Sequence, residues 1–497
     1  MYLTKALGIV VLLGSTALAA IEKRGTACTV TPLSASPKPR VVRRDEGSSG
    51  GDLERRSPVG DRYLPGPNGS PEHYPRPEPG SKEALAYAHR PEAPSDVALT
   101  DMIAQKQQQD KRDTSAAEAA LAAAADDTPQ ILEAFRQCGK EGSIVFEEGT
   151  YNIRQVMNTT DLRNCEIDIY GTFVWSADNL DYWIRRTFPV TYAGRSTAWL
   201  LGGTNVTVRG HGRALFNGNG QVWIDRNRSG SNMNGRPISL TVWRGTNVAI
   251  DGITWRQSQF WHTFVAHSRN VTMTNLDMNT TSSNSNSAVN TDGFDSWNSR
   301  DIFIKNWVVT CGDDCISIKG NSTNVHVQNV TCYESGCACV GSIGSNAGQP
   351  DYVDDIVFED ISCHHSSNAA WIKTYPGAGH VRNVTFRNVA CDNVNQPIYV
   401  TPCTYSGSGC DGSRLAIEDV GWYNVTGTSR YNVAAGMHCS AAAPCRNFRF
   451  EGVDIRPLAG GGQAKVLCSN IQNQATMGLA CTGACPGNWP QQLSGNR

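Results

Sequence analysis

The sequence predicts an all-β protein, a parallel β-helix closed at its first end by a short α-helix. Three observations carry this. Short strand-like runs recur at intervals of a few tens of residues over most of the chain. The recurring unit contains no helix. One amphipathic helix stands just ahead of the first run.

Each copy opens on a polar residue and continues with alternating apolar positions. The copies are Asn205-Val-Thr-Val, Asn247-Val-Ala-Ile, Asn270-Val-Thr-Met, Asp301-Ile-Phe-Ile, Asn324-Val-His-Val, Asp355-Ile-Val-Phe, Asn383-Val-Thr-Phe, Arg414-Leu-Ala-Ile and Asn447-Phe-Arg-Phe. Their starts lie 42, 23, 31, 23, 31, 28, 31 and 33 residues apart. A period of roughly 20–50 residues marks a solenoid or propeller, and a propeller blade needs about four strands over ~40–50 residues. A helix-free unit of this length fits the parallel β-helix, whose coils place equivalent strands ~4.8 Å apart. The open end of such a stack exposes apolar surface and unpaired backbone. Residues 128–138 are predicted to cover it as a helix of about three turns. Thr128 can cap this helix, Pro129 suits its first position, and Ile131, Leu132 and Phe135 share a face.

Residues 1–20 read as a signal peptide, with Lys5, the apolar run Ala6–Leu13 and a small-residue cleavage pattern ending at Ala19 or Ala20. The alternative, a membrane anchor, needs a longer apolar span. Residues 21–36 hold a short strand segment after the signal, with a dibasic pair at Lys23-Arg24. Residues 37–125 read as an insertion. Its part 37–113 is rich in Pro, Gly, Ser, Arg and Glu and cannot bury enough apolar area to offset ordering entropy. Residues 126–485 form the solenoid and 486–497 a tail.

A formal net charge of −2 points to neither nucleic acid nor membrane as a partner. Export agrees with 17 cysteines, read as a disulfide set in which Cys403/Cys410, Cys439/Cys445 and Cys481/Cys485 close small loops and at least one thiol is left over. Ten Asn-x-Ser/Thr sequons fit a glycosylated surface.

The chemistry lies in motifs of consecutive coils: Asn290-Thr-Asp-Gly-Phe-Asp, Gly312-Asp-Asp-Cys and Ser342-Ile-Gly-Ser, with Trp371-Ile-Lys one coil further. Each follows a corresponding strand, so stacking brings Asp292, Asp313 and Asp314 within ~5–8 Å of one another. Carboxylates this close repel, and at least one pKa must rise. Glycoside hydrolysis needs such a set, one acid to protonate the leaving oxygen and one base to activate water. A calcium site is the alternative for an Asp-rich turn. The alignment of four motifs favours catalysis.

These motifs, in this order and spacing, resemble the polygalacturonase family of pectin-degrading glycoside hydrolases over about residues 126–485, with Cys28-Thr-Val-Thr as a displaced first strand. The resemblance implies a right-handed β-helix, secretion, a pectic polysaccharide or oligosaccharide as substrate, action as a monomer, and neither cofactor nor metal. It implies Asp313 as general acid, Asp292 and Asp314 as the carboxylates that activate water, and inversion of configuration. The stacking distance alone would not suggest inversion, which usually goes with a gap of ~6.5–9.5 Å. It places Asn290, Lys373 and Tyr405 at the substrate, Lys373 on a carboxylate.

Two departures from the family pattern stand out. Cys339 occupies the position of an expected His that supports the acid and the sugar. Cys337 and Cys339 read as disulfide partners, with Cys332 or Cys363 as candidates; a zinc site lacks two further ligands. Trp371 replaces an Arg, removing a forked donor and offering a ring that could stack on a sugar or pack as core. His262, His267, His364, His365 and His438 have no motif context. The run from Gly218-Asn-Gly-Gln-Val-Trp to Asn290-Thr-Asp resembles exo-acting members. A rhamnogalacturonan hydrolase or α-L-rhamnosidase is the second reading. A calcium-dependent pectate lyase and a non-catalytic carbohydrate-binding solenoid are the readings from other classes.

Overall fold

The computed structural model describes residues 21–33, 126–230, 232–345, 348–404, 409–458 and 462–486. The signal peptide, the insertion from 37 to 125, Tyr405 and all but the first residue of the tail lie outside them.

The chain winds as a parallel β-helix with three columns of stacked strands. In the first column the apolar residue after each polar opener pairs with its counterpart in the next coil: Val206 with Val248, then Val271, Ile302, Val325, Ile356, Val384 and Val420. Seven of the nine predicted starts therefore fall in one file, and Asn447 joins it through the pairing of Trp422 with Phe450. The Arg414 start is corrected to Asp419. Strand Arg414–Ser429 is 16 residues long and carries two alternating apolar stretches, so only the register with the coil below separates them.

The polar openers have a physical cause. Asn205, Asn247, Asn270, Asp301, Asn324, Asp355, Asn383, Asp419 and Asn447 all take left-handed backbone, with φ between 52° and 60°. Asn and Asp tolerate that region better than other side-chain-bearing residues. Their side chains bond from coil to coil: Asn247 Nδ2 donates to Asn205 Oδ1 at 2.7 Å, Asn270 to Asn247 at 2.8 Å, Asn324 to Asp301 at 2.7 Å and Asn447 to Asp419 at 2.9 Å.

The second column runs through Trp255, Met278, Val309, Cys332, Cys363 and Cys391. The third runs through Leu240, Thr263, Phe294, Ile316, Ala338, Ala370, Ile398 and Ala435. Helix Thr128–Cys138 buries Ile131, Ala134, Phe135 and Cys138 at the first end, with Phe135 against Phe146 and Trp199. Asp127, not Thr128, is its N-cap residue; Thr128 is already helical, and its N–H donates to Asp126 Oδ1. Strand Ala27–Val30 adds in parallel to Lys140–Phe146 and is tied to the helix by the Cys28–Cys138 disulfide. Lys23-Arg24 lies in an exposed strand antiparallel to it.

Six disulfides form. Cys403–Cys410 and Cys439–Cys445 close the small loops expected of them. Cys481 instead joins Cys468 of strand Lys465–Ser469, at a Cα–Cα distance of 5.9 Å. Cys165, Cys311, Cys339, Cys391 and Cys485 remain thiols.

Candidate active site

The turn from the second column to the third carries the acids. Asp292 lies between strands Asp277–Asn279 and Phe294–Trp297, and Asp313-Asp314 between Arg300–Thr310 and Ile316–Ile318. Because these turns stack, one oxygen from each of Asp292, Asp313 and Asp314 lies within 4.8 Å of the other two. Asp292 and Asp314 are buried and Asp313 is half-buried. Asp313 Oδ2 accepts from the backbone N–H and the Nδ2 of Asn290, both at 3.1 Å. Asp314 is held by Lys373 Nζ at 2.8 Å. Asp292 has no cation within 4.0 Å among the described residues; its carbonyl accepts from the backbone N–H of His262 at 2.8 Å and faces the ring Nδ1 at 2.9 Å.

The outward face of the third column supplies the cations. Asp295, Ser317, Cys339, Trp371 and Tyr399 form one file across successive coils. Two residues on, Gly341 and Lys373 are neighbours, and Lys319 follows the Ile318–Val340 pair into the same file. Lys319 pairs with Asp295 at 2.8 Å, repeating the Lys373–Asp314 arrangement. Lys319 and His262 are parts of the site that motif reading missed, and Asp295, the last residue of the Asn290 motif, had no role assigned to it. A signal existed: Ile-Lys occurs at 318–319 and again at 372–373 in the same column. Gly336 was also missed. A Cβ there would stand 2.6 Å from Asp314 Oδ1 and 2.9 Å from the Trp371 ring, so only glycine admits the carboxylate.

Three expectations meet a different geometry. Cys337 pairs with Cys363, which leaves Cys339 as a thiol, 0% exposed, directed at Gly341 O. Burial pushes that thiol well above its usual range, so it is neutral and sealed from solvent. With Cys337 in a disulfide, the zinc alternative loses a ligand. Trp371 is 4% exposed; its Nε1 donates to Gly336 O, Lys373 Nζ stands 4.2 Å from its ring centroid, and Tyr399 stacks on it at 6.0 Å. The ring packs against protein groups, where a sugar-stacking role needs an open face. Lys373, 3% exposed in its side chain, grips the protein's own Asp314 carboxylate.

Burial, then the charge of Asp314, pushes Asp313 up to about 6 against the help of Lys373 and Asn290. Burial, reinforced by Asp313, Asp295 and Asp314, raises Asp292 well above the carboxylate range. Burial wins over Lys319 at Asp295, pushed up to about 7. Burial pushes His262 down to about 4, so it is a neutral ring. Acids that tend to hold protons suit general acid catalysis.

Comparison with known proteins agrees with this chemistry. The family described as glycosyl hydrolases family 28 matches residues 186–481. The chain is 35% identical to the α-L-rhamnosidase rgxB of Aspergillus niger, over 73% of this chain and 88% of that one. It is 34% identical to an exopolygalacturonase of Cochliobolus carbonum, over 69% and 80%. It is 33% identical to a putative galacturan 1,4-α-galacturonidase A of Aspergillus flavus, over 72% and 90%. The crystal structure of the endo-xylogalacturonan hydrolase of Aspergillus tubingensis superposes with a TM-score of 0.65 at 30% identity, covering 72% of this chain and 96% of that one. With this match over more than half its length, the chain belongs to glycosyl hydrolase family 28.

Proposed function

We propose that the protein is a secreted hydrolase of α-glycosidic bonds in pectin, acting from chain ends with inversion. The observation that carries this is the unequal treatment of stacked acids: Asp314 is neutralised by Lys373, while burial pushes Asp313 up to about 6. Asp313 then holds the proton for the leaving oxygen, and Asp314, its charge balanced by the ammonium, accepts the proton of the attacking water with Asp292 beside it. Asn290, whose backbone N–H and Nδ2 both donate to Asp313 Oδ2, orients the acid. The relatives named exopolygalacturonase and galacturonidase support galacturonate at the cleaved end.

A rhamnose-releasing activity is the second reading. It is favoured by Trp371, which leaves that coil without a forked donor for a sugar carboxylate, and by the relative named α-L-rhamnosidase. Product analysis on polygalacturonate, on rhamnogalacturonan and on an aryl α-L-rhamnoside separates the readings. Free galacturonate supports the first and free rhamnose the second. An unsaturated product, or no product from any of the three, overturns hydrolysis.

A further inference from the structure

Of the four acids clustered here, Asp292 alone has neither a lysine nor a side-chain amide on its carboxylate: Asp295 has Lys319, Asp314 has Lys373 and Asp313 has Asn290. A buried charge without a partner is expensive, so Asp292 can serve as a base only if a cation acts on it from further away. Arg236 is that cation. It is 2% exposed, and no carboxylate lies within 4.0 Å of it among the described residues. Nη1 donates to Val289 O at 2.9 Å, Nε donates to Gln259 O, and the guanidinium lies over the Phe260 ring at 5.3 Å. Nη2 is buried and has no hydrogen-bond partner. Val289 directly precedes the Asn290-Thr-Asp turn, so the same side chain that is left with uncompensated charge also grips the entry to the catalytic turn.

We infer that Arg236 is a positioning residue for Asp292: it anchors the Val289 carbonyl and supplies a counter-charge that lowers the cost of ionising Asp292. The inference rests on Asp292 being part of the catalytic set. Asp292 faces Asp295, Asp313 and Asp314 as like charges, and Lys319 and Arg236 as opposite ones, with the neutral His262 on its carbonyl; Arg195 is the other cation near Arg236. Lys319 and Lys373 are already paired with Asp295 and Asp314, so the loss of Arg236 leaves Asp292 without a cation of its own. Consistent with this, the fields of Asp292 and Asp313 act on Arg236, while burial pushes the guanidinium down to about 9, still a cation at working pH.

The test is the pH profile of kcat/KM for Arg236→Gln and Arg236→Lys, with Asp292→Asn as the control. Arg236→Gln keeps a donor for Val289 O and drops the charge. Its whole profile should move to higher pH by at least about half a unit, because both nearby acids lose a stabilising field. Arg236→Lys keeps the charge and should keep the wild-type profile even where its melting temperature falls. If Arg236→Gln and Arg236→Lys both lose stability and neither moves the profile, Arg236 is only structural and the inference fails. If Arg236→Gln does not fold at pH 7, Arg236→Gln/Asp292→Asn should fold, since the unbalanced anion is gone; failure of the double variant also overturns the inference. An active Asp292→Asn would instead remove the catalytic role of Asp292, a separate result.

Discussion

Replacing Lys373 with Met tests whether Lys373 carries the charge of the buried carboxylate of Asp314, the proposed base. The pair Lys373–Asp314 is 2.8 Å long, with 3% and 2% of the two side chains exposed. Removing one partner of a buried pair costs about 3–5 kcal/mol, because the other charge is left uncompensated. The variant has an escape: Asp314 can take a proton. For a carboxyl of solution pKa ~3.9, holding a proton at pH 7 costs about 1.36 kcal/mol for each of roughly three units, or about 4 kcal/mol. The penalty at pH 7 is therefore capped near ~4 kcal/mol, and the cap falls below ~1 kcal/mol at pH 4. The sign follows from linkage. Loss of the ammonium therefore costs more at pH 7, where a carboxyl is charged in solution, than at pH 4. About 1 kcal/mol from the lost contact with the Trp371 ring adds at either pH.

The assay is denaturant unfolding of wild type, Lys373→Met, Asp314→Asn and the double variant at pH 4 and pH 7. Lys373→Met should lose about 4–5 kcal/mol relative to wild type at pH 7 and under about 2 at pH 4. The double variant should recover most of the loss at pH 7, a coupling that additive sites cannot give. It should remain inactive, since the base is gone. Equal losses at the two pH values, or an additive cycle, would refute the claim that Lys373 exists to carry the Asp314 charge.

Asp313→Asn should fold with unchanged circular dichroism and lose ~10²–10⁴-fold or more in kcat, and near-normal activity on the true substrate would remove it as general acid. Stability of the wild type should peak near about pH 4 and fall toward neutral pH, because from about pH 4 upward Asp313 at about 6 and Asp295 at about 7 both lose their contribution as pH rises, and only His262 at about 4 gains one over the same range. A melting-temperature maximum at pH 8 or above contradicts those shifts. Joining residue 36 to residue 126 should leave kcat/KM within about twofold and change stability by no more than ~2 kcal/mol, since Leu33 N–H already donates to Asp127 Oδ1 at 2.8 Å and loop closure depends only logarithmically on length. Loss of folding in that variant would show that the insertion packs on the solenoid.

Much of the architecture was legible because the β-helix repeats its demands. Every coil needs a left-handed residue at one corner, and Asn or Asp meets it, so the openers mark the first column. The misread start at Arg414 shows the limit: a single strand held two candidate phases, and register with Asn383 is information about a neighbour, not about the strand. The acids were legible because their spacing follows the coils. The packing of Trp371, Cys339 and Lys373 was not, because it depends on what covers the outward face of the third column. The hairpin formed by Phe188–Pro189 and Ser196–Thr197 places Tyr192 against Trp261, Phe264 and Trp297, and its hydroxyl reaches Ser342 O at 3.5 Å, 150 residues away. Nothing local to Trp371 or Lys373 reports whether such cover exists.

The same covered face explains why the two departures from the family pattern belong together. A histidine in place of Cys339 would put a titratable ring beside Asp314, in a position that is now 0% exposed. An arginine in place of Trp371 would put a second cation next to Lys373, at a carboxylate that one ammonium already balances. A neutral thiol and an indole remove both charges at once and leave Lys373 committed to Asp314. The charge of Asp314, the proposed base, is then balanced by Lys373 inside the protein. An enzyme built this way loses less transition-state stabilisation when the sugar at the cleaved bond is neutral than one whose catalytic coil depends on an anionic substrate, which is the physical content of the rhamnose reading.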